Sequence, residues 1–304
     1  MRTTAPPVLR RLLAALPRPV LTGLTALPWG GMSLISLYIS VLSGIVLSLQ
    51  YDVAEPFYST ATLELIIPFG SFWRALHYFS SQAFFLLLVC HFAAILVNNR
   101  ETIFNRASWI RLTLSLPVAI LLLFTGYILR GDATGMAAGT IGEHIALAVP
   151  GLGPLINNLL FALSTGGFKR VYANHLIGLM VLGGWCVWPH LRRYRARWRD
   201  HAGLTLILLA TSILLTAPME PERFGMLHIA GPWFFLGLQE LLRYIPPFWA
   251  GVVVPSSLVV LLLCIPLQER DKNKNKKSFY LRGILLWLAV YAVLTVRCYL
   301  WVKG

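Results

Sequence analysis

Charged side chains are scarce in this 304-residue sequence: Asp, Glu, Lys and Arg together make up 12% of it, whereas 57% of the residues are hydrophobic. The mean hydropathy is +0.68. Soluble domains carry about 25% charged residues, so the composition excludes an ordinary soluble enzyme. Long apolar runs separated by short polar breaks are typical of a polytopic helical membrane protein.

Cysteine is also rare. None of the four cysteines belongs to a CxxC or CxxCH motif. This spacing gives no support to covalent attachment of a c-type haem or to a zinc knuckle. All four lie in apolar segments, which predicts a packing role for Cys90, Cys186, Cys264 and Cys298.

Seven apolar segments are present, bounded by proline, glycine and charged residues. A bilayer requires about 20 helical residues, and only the fifth segment is clearly short of that. They predict an all-α polytopic membrane protein with spans near residues 30–50, 75–97, 110–129, 172–191, 202–217, 247–267 and 282–301. Two long connections, 130–171 and 217–246, contain apolar stretches of their own, and such loops often carry function.

The net charge of +14 is unevenly distributed. With the N-terminus in the cytoplasm, 18 of the 26 Lys and Arg residues fall in the inner segments 1–29, 98–111, 192–201 and 268–282. Cytoplasmic loops of membrane proteins are enriched in Lys and Arg. The distribution therefore predicts a cytoplasmic N-terminus, and the membrane explains the positive charge better than nucleic acid does.

Four histidines lie inside two of the apolar segments. His77 and His91 are 14 residues apart, and His175 and His190 are 15 apart. Both spacings are close to whole helical turns, so each pair shares one helix face, with about 21–22 Å between its members. Because the two segments cross the membrane in the same direction, we expect His77 to lie level with His175, and His91 with His190.

Two facing imidazoles can ligate one metal from opposite sides, and a planar porphyrin between two helices suits that arrangement. The pattern predicts two non-covalent b-type haems at two depths. A single membrane histidine is more often a packing residue, whereas zinc or copper would require ligands at one depth. His201, after the basic run RRYRARWR, is expected to be solvated. His144 and His228 in the outer loops could be caps or proton carriers.

Several segments resemble cytochrome b of the quinol-oxidising bc and bf complexes, over most of the chain. They are GGMSLISLYISVLSGIVLSLQY, RALHYFSSQ, TGYILRGDATG, AVPGLGPLINNLL, KRVYANH and GPWFFLGLQELLRY. The 15-residue step between the second pair of histidines is similar to the plastid-type branch, whose two subunits together have seven helices. The resemblance implies an interfacial segment 1–29, a dihaem four-helix domain 30–201 and a three-helix C-terminal domain 202–304.

By this resemblance, His77 and His175 bind the iron of an outer, low-potential haem, and His91 and His190 bind the iron of an inner, high-potential haem. Two arginines would pair with haem propionates, and two glycines would let a haem lie close to the helix backbone. These implied cofactor-binding residues are Arg74, Arg170, Gly30 and Gly44.

The resemblance also implies an outer quinol-oxidation pocket near Gly126–Glu143 and Gly231–Phe235, and an inner quinone pocket beside the second haem. In the family, one electron from quinol passes to an iron–sulfur partner and the other crosses the haems. The residues expected to act in the outer pocket are Asp132, Glu143, Trp233 and Glu240.

The sequence departs from the family pattern in that pocket. The family's Pro-Glu-Trp-Tyr motif aligns with GPWF, so Pro232 stands where a glutamate usually takes a quinol proton. Four residues are candidates to replace that carboxylate: Glu240, Glu222, Glu220 and His228. The pair Arg130-Gly131 stands at the usual Pro-Trp, with Asp132 retained.

Two further departures concern the haems. Leu112 aligns with a glycine that usually adjoins a haem, so its side chain is expected to crowd the cofactor. Pro28 aligns with the cysteine that anchors an extra inner haem in the plastid-type branch, so no such haem is predicted.

The resemblance implies one subunit of a quinol–cytochrome c reductase-type complex in a bacterial inner membrane. Its implied partners are a Rieske-type or other iron–sulfur protein, a c-type cytochrome, the quinone pool, membrane lipid and a second copy of the complex. Two alternatives stay open. One is a non-bifurcating dihaem anchor that links the quinone pool to a separate catalytic subunit. The other is a haemless transporter whose histidines relay protons.

Overall fold

The computed structural model describes residues 26–222, 229–267 and 271–303, so most of the predicted interfacial segment 1–29 lies outside the described residues. Helices account for the ordered elements of this part of the chain, and no β-strand occurs in it. In chain order the helices are α1 (Trp29–Ser48), α2 (Pro56–Leu65), α3 (Gly70–Val97), α4 (Arg106–Leu129), α5 (Ala133–Leu147), α6 (Gly153–Leu160), α7 (Phe168–Leu191), α8 (Ala202–Leu214), α9 (Leu236–Leu241), α10 (Trp249–Leu263) and α11 (Asp271–Lys303).

Apolar helices occupy all seven predicted spans, which confirms the all-α membrane fold class. Five of them are long and apolar enough to cross a membrane: α1, α3, α4, α7 and α11. The predicted fifth span is the 13-residue helix α8, and the sixth is the shorter apolar helix α10. The two long connections, 130–171 and 217–246, contain the short helices α5, α6 and α9, which include apolar stretches of those connections.

Helix α1 packs along α3 through a face of small residues. Four serines on that face are buried, and the hydroxyls of Ser36 and Ser43 donate to the carbonyls of Met32 and Ile39 one turn earlier. Side-chain hydroxyls paired in this way tolerate an apolar interface. Small residues also let helix backbones approach closely inside a membrane, which brings the backbone of α1 near the histidine face of α3.

Helix α4 joins the two halves of the fold. The fully buried Trp109 donates from Nε1 to the carbonyl of Leu262 at 2.9 Å, and Arg106 donates to the carbonyl of Ile265 at 3.3 Å. Beside these contacts, Lys277 of α11 forms a buried ion pair with Glu101. The C-terminal helices α10 and α11 are therefore fixed against the four-helix bundle by polar contacts as well as by an apolar cluster.

His201 is buried, so the expectation that it is solvated is wrong. Its ring lies against the backbone of α1 at Gly31, where a Cβ would stand 2.4 Å from His201 Nε2 and 2.7 Å from the hydroxyl of Tyr194. The missing side chain of Gly31 leaves the space for both rings. The contact of His201 with α1 could not be predicted from the neighbouring basic run. It depends on packing against a helix about 170 residues earlier in the chain.

Candidate functional site

Helices α3 and α7 bring together His77 and His175, which we call the outer pair after the side predicted from the sequence, as we call His91 and His190 the inner pair. The ring centroids of His77 and His175 are 6.1 Å apart. His175 lies in a π-helical turn, Asn174–Gly178, within α7. Such turns often occur at functional sites, and this one changes the helical phase so that the imidazole faces its partner.

Both outer imidazoles are held through Nδ1. His77 Nδ1 lies 2.8 Å from the carbonyl oxygen of Ser40, and His175 Nδ1 lies 2.9 Å from the hydroxyl oxygen of Thr125. The hydroxyl of Thr125 has its own acceptor at the carbonyl of Leu121, at 2.8 Å. In both cases Nδ1 carries the proton, which leaves the Nε2 lone pair as the metal-binding donor.

The inner histidine pair repeats the arrangement on the same two helices. The ring centroids of His91 and His190 are 6.2 Å apart. Phe104 and Tyr194 lie beside His190, with ring centroids 6.0 and 6.4 Å away. Aromatic neighbours thus surround the inner pair, whereas hydrogen-bonding groups hold the outer pair.

The two ring separations fit one metal ion between each pair. A metal–imidazole nitrogen distance of about 2.1 Å, added to about 1.1 Å from nitrogen to ring centre, puts two axial imidazoles roughly 6 Å apart. The measured separations are 6.1 and 6.2 Å. Aromatic rings in direct offset or edge-to-face contact have centroids about 4.5–7 Å apart, a range that includes these values. The two separations are therefore compatible with one metal ion bound between each pair of imidazoles.

Glycines form part of the cradle behind three of the four imidazoles. A Cβ at Gly30 would lie 2.8 Å from His91 Cε1, and one at Gly44 would lie 2.8 Å from His77 Cε1. At Gly126 a Cβ would stand 3.2 Å from His175 Cε1. The sequence singled out the first two for this region. It missed the role of Gly126, which lies within the quoted TGYILRGDATG segment.

Each histidine pair faces a cavity. The inner cavity has a volume of about 510 Å³ and the outer cavity about 330 Å³, both within the range of protein cofactor sites. Leu112 lines the inner cavity, which is nevertheless the larger of the two. The residues lining both cavities are Leu37, Phe84, Ala119, Leu122 and Met180, so one layer of apolar side chains separates the two spaces.

The two arginines predicted to bind propionates differ in position. Arg74 lines the outer cavity, and its guanidinium is engaged by the protein: Nε donates to Glu64 at 2.5 Å and the two Nη atoms donate to the carbonyls of Ala217 and Pro218. Arg170 is exposed and does not line the cavity. Pairing of either arginine with a propionate stays a prediction.

The loop residues expected to act on quinol are brought near the outer cavity. Trp233 donates from Nε1 to Gln82 Oε1 at 2.8 Å, and Gln82 lines that cavity. The ring of Phe234 packs edge-on against Tyr127, with centroids 5.5 Å apart. The segments Gly126–Glu143 and Gly231–Phe235 thus meet at one end of the bundle, and quinol binding there stays a prediction.

Two of the predicted carboxylates in this region are buried and hydrogen-bonded. Asp132 caps α5 by accepting from the amide of Gly135 at 2.9 Å, and it pairs with Arg130 at 2.6 Å. Glu143 accepts from the side-chain amide of Asn157 and from the amide of Ser164, both at 3.2 Å. Both carboxylates fix the loop structure around the convergent segments.

Glu240 is fully buried in a separate cluster. It accepts from the hydroxyl of Tyr244 at 2.9 Å and pairs with Arg243 and Arg297 at 3.2 and 3.0 Å. It lines neither histidine cavity. Among the other candidate carboxylates, Glu220 accepts from Thr134 and Glu222 from Tyr58, whereas His228 lies outside the described residues.

Tyr51 closes part of the outer cavity. Its hydroxyl donates to the carbonyl of Leu129 at 2.6 Å, and its ring stacks on Tyr172 with centroids 5.4 Å apart. Burial, together with the neighbouring Tyr172 and Asp52, raises the pKa of Tyr51 well above its ordinary value. The hydroxyl therefore remains a protonated donor that ties the end of α4 to the loop after α1.

Comparison with known proteins places these features in one family. A family described as "Cytochrome b(N-terminal)/b6/petB" matches residues 78–199, and one described as "Cytochrome b(C-terminal)/b6/petD" matches residues 225–300. The chain is 23% identical over 301 residues to "Cytochrome b" of Bugula neritina, with 86% of this chain and 81% of that protein covered.

A solved structure has the same fold. The "Hyperthermophilic respiratory Complex III" chain is similar with a TM-score of 0.64 and 21% identity, covering 89% of this chain and 83% of that one. The two family matches run through the histidine helices and the C-terminal helices in the order expected from the sequence. This chain belongs to the cytochrome b family of bc- and bf-type complexes, and it is a membrane electron-transfer protein.

Proposed function

We propose that this chain holds two b-type haems and carries electrons between an outer and an inner quinone site. The observation that carries the proposal is the spacing of the two imidazole pairs, 6.1 and 6.2 Å, at two levels of the same two helices. His77 and His175 would hold the outer haem, and His91 and His190 the inner haem. Haem supplies a one-electron iron couple, whose potential depends on its ligands and surroundings.

The residues of the chain prepare both sites for a bound porphyrin. The outer imidazoles have Nδ1 fixed by Ser40 and Thr125, so Nε2 presents its lone pair. Glycines leave room behind the rings, and apolar side chains form most of the walls of both cavities. The single layer of shared side chains between the cavities keeps the path for an electron across the membrane short.

The proposed quinol pocket lies where Gly126–Glu143 meets Gly231–Phe235. Its support is the contact of Trp233 with Gln82 on the wall of the outer cavity, and the packing of Phe234 on Tyr127. The described hydrogen-bond partners of Glu143 are the neutral Asn157 and Ser164, whereas Asp132 is paired with Arg130. We assign Glu143 as the first candidate to take a quinol proton and Trp233 as a wall of the pocket.

A second function is favoured by one observation. Pro232 occupies the place of the family's proton-accepting glutamate, and the buried Glu240 nearby already pairs with Arg243 and Arg297. A dihaem anchor that passes both electrons one way would not require that carboxylate. Inhibitors of an outer quinol site distinguish the two, because they would block quinol-driven haem reduction in a bifurcating subunit and leave an anchor unaffected.

The proposal includes the setting of the chain. We place the chain in a bacterial inner membrane with its N-terminus on the cytoplasmic side. The basic residues cluster in the segments that this orientation puts in the cytoplasm. The dihaem domain 30–201 would be followed by the C-terminal domain 202–304. An iron–sulfur protein and a c-type cytochrome would complete the complex on the outer face, with a second copy of the complex as dimer partner.

Haem content tests the proposal. The purified chain is expected to yield two haems per polypeptide in a pyridine haemochrome assay, with a b-type spectrum and complete extraction into acid acetone, because no CxxCH motif is present for covalent attachment. A content of one haem per chain would contradict the proposal that the chain binds haem at two depths. A chain without haem would contradict the proposal and would favour the haemless transporter whose histidines relay protons.

A further inference from the structure

The outer cavity is lined by two arginines, Arg74 and Arg130, and among the described residues no carboxylate side chain lines it. Arg74 has all three of its guanidinium nitrogens in contact with Glu64, Ala217 and Pro218. Arg130 is different. Among the described residues, its Nε is buried and has no hydrogen-bond partner. A buried N–H without an acceptor is costly, so this donor calls for an acceptor that the protein itself does not supply.

Arg130 is held rigidly in place. Its Nη2 pairs with Asp132 at 2.6 Å, and its guanidinium lies 4.7 Å from the centre of the Tyr127 ring. Asp132 is fixed in turn by the amides of Gly135 and Glu220, at 2.9 and 3.0 Å. A guanidinium with its orientation already set loses little entropy when it binds a ligand, because its planar fork is pre-organised.

We propose that Arg130 binds a propionate carboxylate of the outer haem. This inference rests on the proposed function, since it requires a haem in the outer cavity. A carboxylate buried in an apolar cavity needs a cation and hydrogen-bond donors, and a guanidinium edge provides both. Arg170, the other arginine expected to serve, is exposed and lies off the cavity wall. Arg130 stands where the family pattern has Pro-Trp, so a propionate contact from this position would be specific to this chain and not general to the family.

Asp132 does not compete with this role. It does not line the cavity, so the cation of the pair lies on the cavity side. Asp132 also caps helix α5, which ties the guanidinium to a rigid element. We infer that the pair sets the potential of the outer haem: the guanidinium offsets the negative propionate, which otherwise stabilises the oxidised, more positive form.

The test uses a double variant, Arg130→Gln with Asp132→Asn, in the full-length haem-loaded protein. Removing both partners leaves neither side chain of the Arg130–Asp132 pair as an unpaired buried charge, and Asn is as good a helix N-cap as Asp. The net charge of the two side chains is zero in the parent and in the double variant. A change in the potential of the outer haem therefore reports the lost contact between Arg130 and the propionate. Asp132→Asn alone keeps Arg130, and Arg243→Gln removes an arginine that pairs with a buried carboxylate away from both cavities.

The readout is the midpoint potential of each haem, the outer one being the component that His77→Ala removes. We expect the double variant to lower the ratio of reduced to oxidised outer haem about tenfold at the parent's midpoint, a shift of about 59 mV for a one-electron couple. The midpoint potential of the inner haem should stay unchanged. Arg130→Lys should restore part of the shift, because lysine keeps the charge without the fork. Neither control variant should lower the outer potential.

Three results would overturn the inference: an unchanged outer potential in the double variant, equal shifts of both haems, or an equal fall in Asp132→Asn. Selective loss of the outer haem from the double variant, with both controls fully loaded, would support it. A parent protein without haem would overturn the proposed function itself, which a titration of the parent reveals before any variant is made.

Discussion

Alanine at Gly44 is expected to remove the outer haem while the inner haem stays bound. The new Cβ would stand 2.8 Å from His77 Cε1, whereas carbon atoms pack at about 3.5–4.0 Å. His77 would have to move by most of an ångström and would lose its alignment with His175. Disturbing the surroundings of a metal ligand typically costs about 10–100-fold in affinity, so we expect at least tenfold weaker binding of the outer haem.

Gly30→Ala is the corresponding substitution at the inner site. The new Cβ would stand 2.8 Å from His91 Cε1 and should displace the inner haem alone. Gly203→Ala is the matched control, since a Cβ there meets nothing within 4 Å and the residue lines neither cavity. In a helix interior, Gly→Ala is usually stabilising by up to about 1 kcal/mol. Equal occupancy of both haems in all three variants would show that these glycines do not shape the haem cavities.

Lys277→Met is expected to lower the free energy of unfolding by about 3–5 kcal/mol, because it removes the cation from a buried ion pair. Glu101 is fully buried, and Lys277 also donates to Asn99. The pair joins the loop between α3 and α4 to α11, so its loss weakens the attachment of the C-terminal helices to the four-helix bundle. Denaturation of the detergent-solubilised protein with SDS, followed by tryptophan fluorescence, measures the change.

Lys276→Met is the control for this variant, because Lys276 is the exposed neighbour of Lys277 on the same helix. Its substitution should change stability by no more than about 0.5 kcal/mol, as is usual on a surface. Adding Glu101→Gln to Lys277→Met should recover part of the loss by removing the buried charge. Equal unfolding midpoints for the two lysine variants would contradict the structural role of the ion pair.

The two facing imidazole pairs could be predicted from the sequence because they depend on the helical period and on the relative direction of two helices. Once His77 and His91 share a face, and His175 and His190 share another, the parallel direction of the two helices fixes which imidazoles meet. The π-helical turn at His175 could not be predicted, because the spacing of the histidines was interpreted with a regular α-helical period.

Other features depended on contacts between distant parts of the chain. The carbonyls of Ala217 and Pro218 engage Arg74 from more than 140 residues away, and no local pattern signals such a contact. The burial of His201 depends on the missing side chain of Gly31 in the first helix. The unpaired donor of Arg130 was visible in the sequence only as a departure from a family motif.

A redox titration of the visible spectrum tests the central claim most directly. The parent protein should show two b-type components with separate midpoint potentials. His77→Ala should lack one component and His91→Ala the other, because the two imidazoles serve cavities at different depths. A single component that survives both substitutions, or the loss of both components in each variant, would contradict two independently ligated haems.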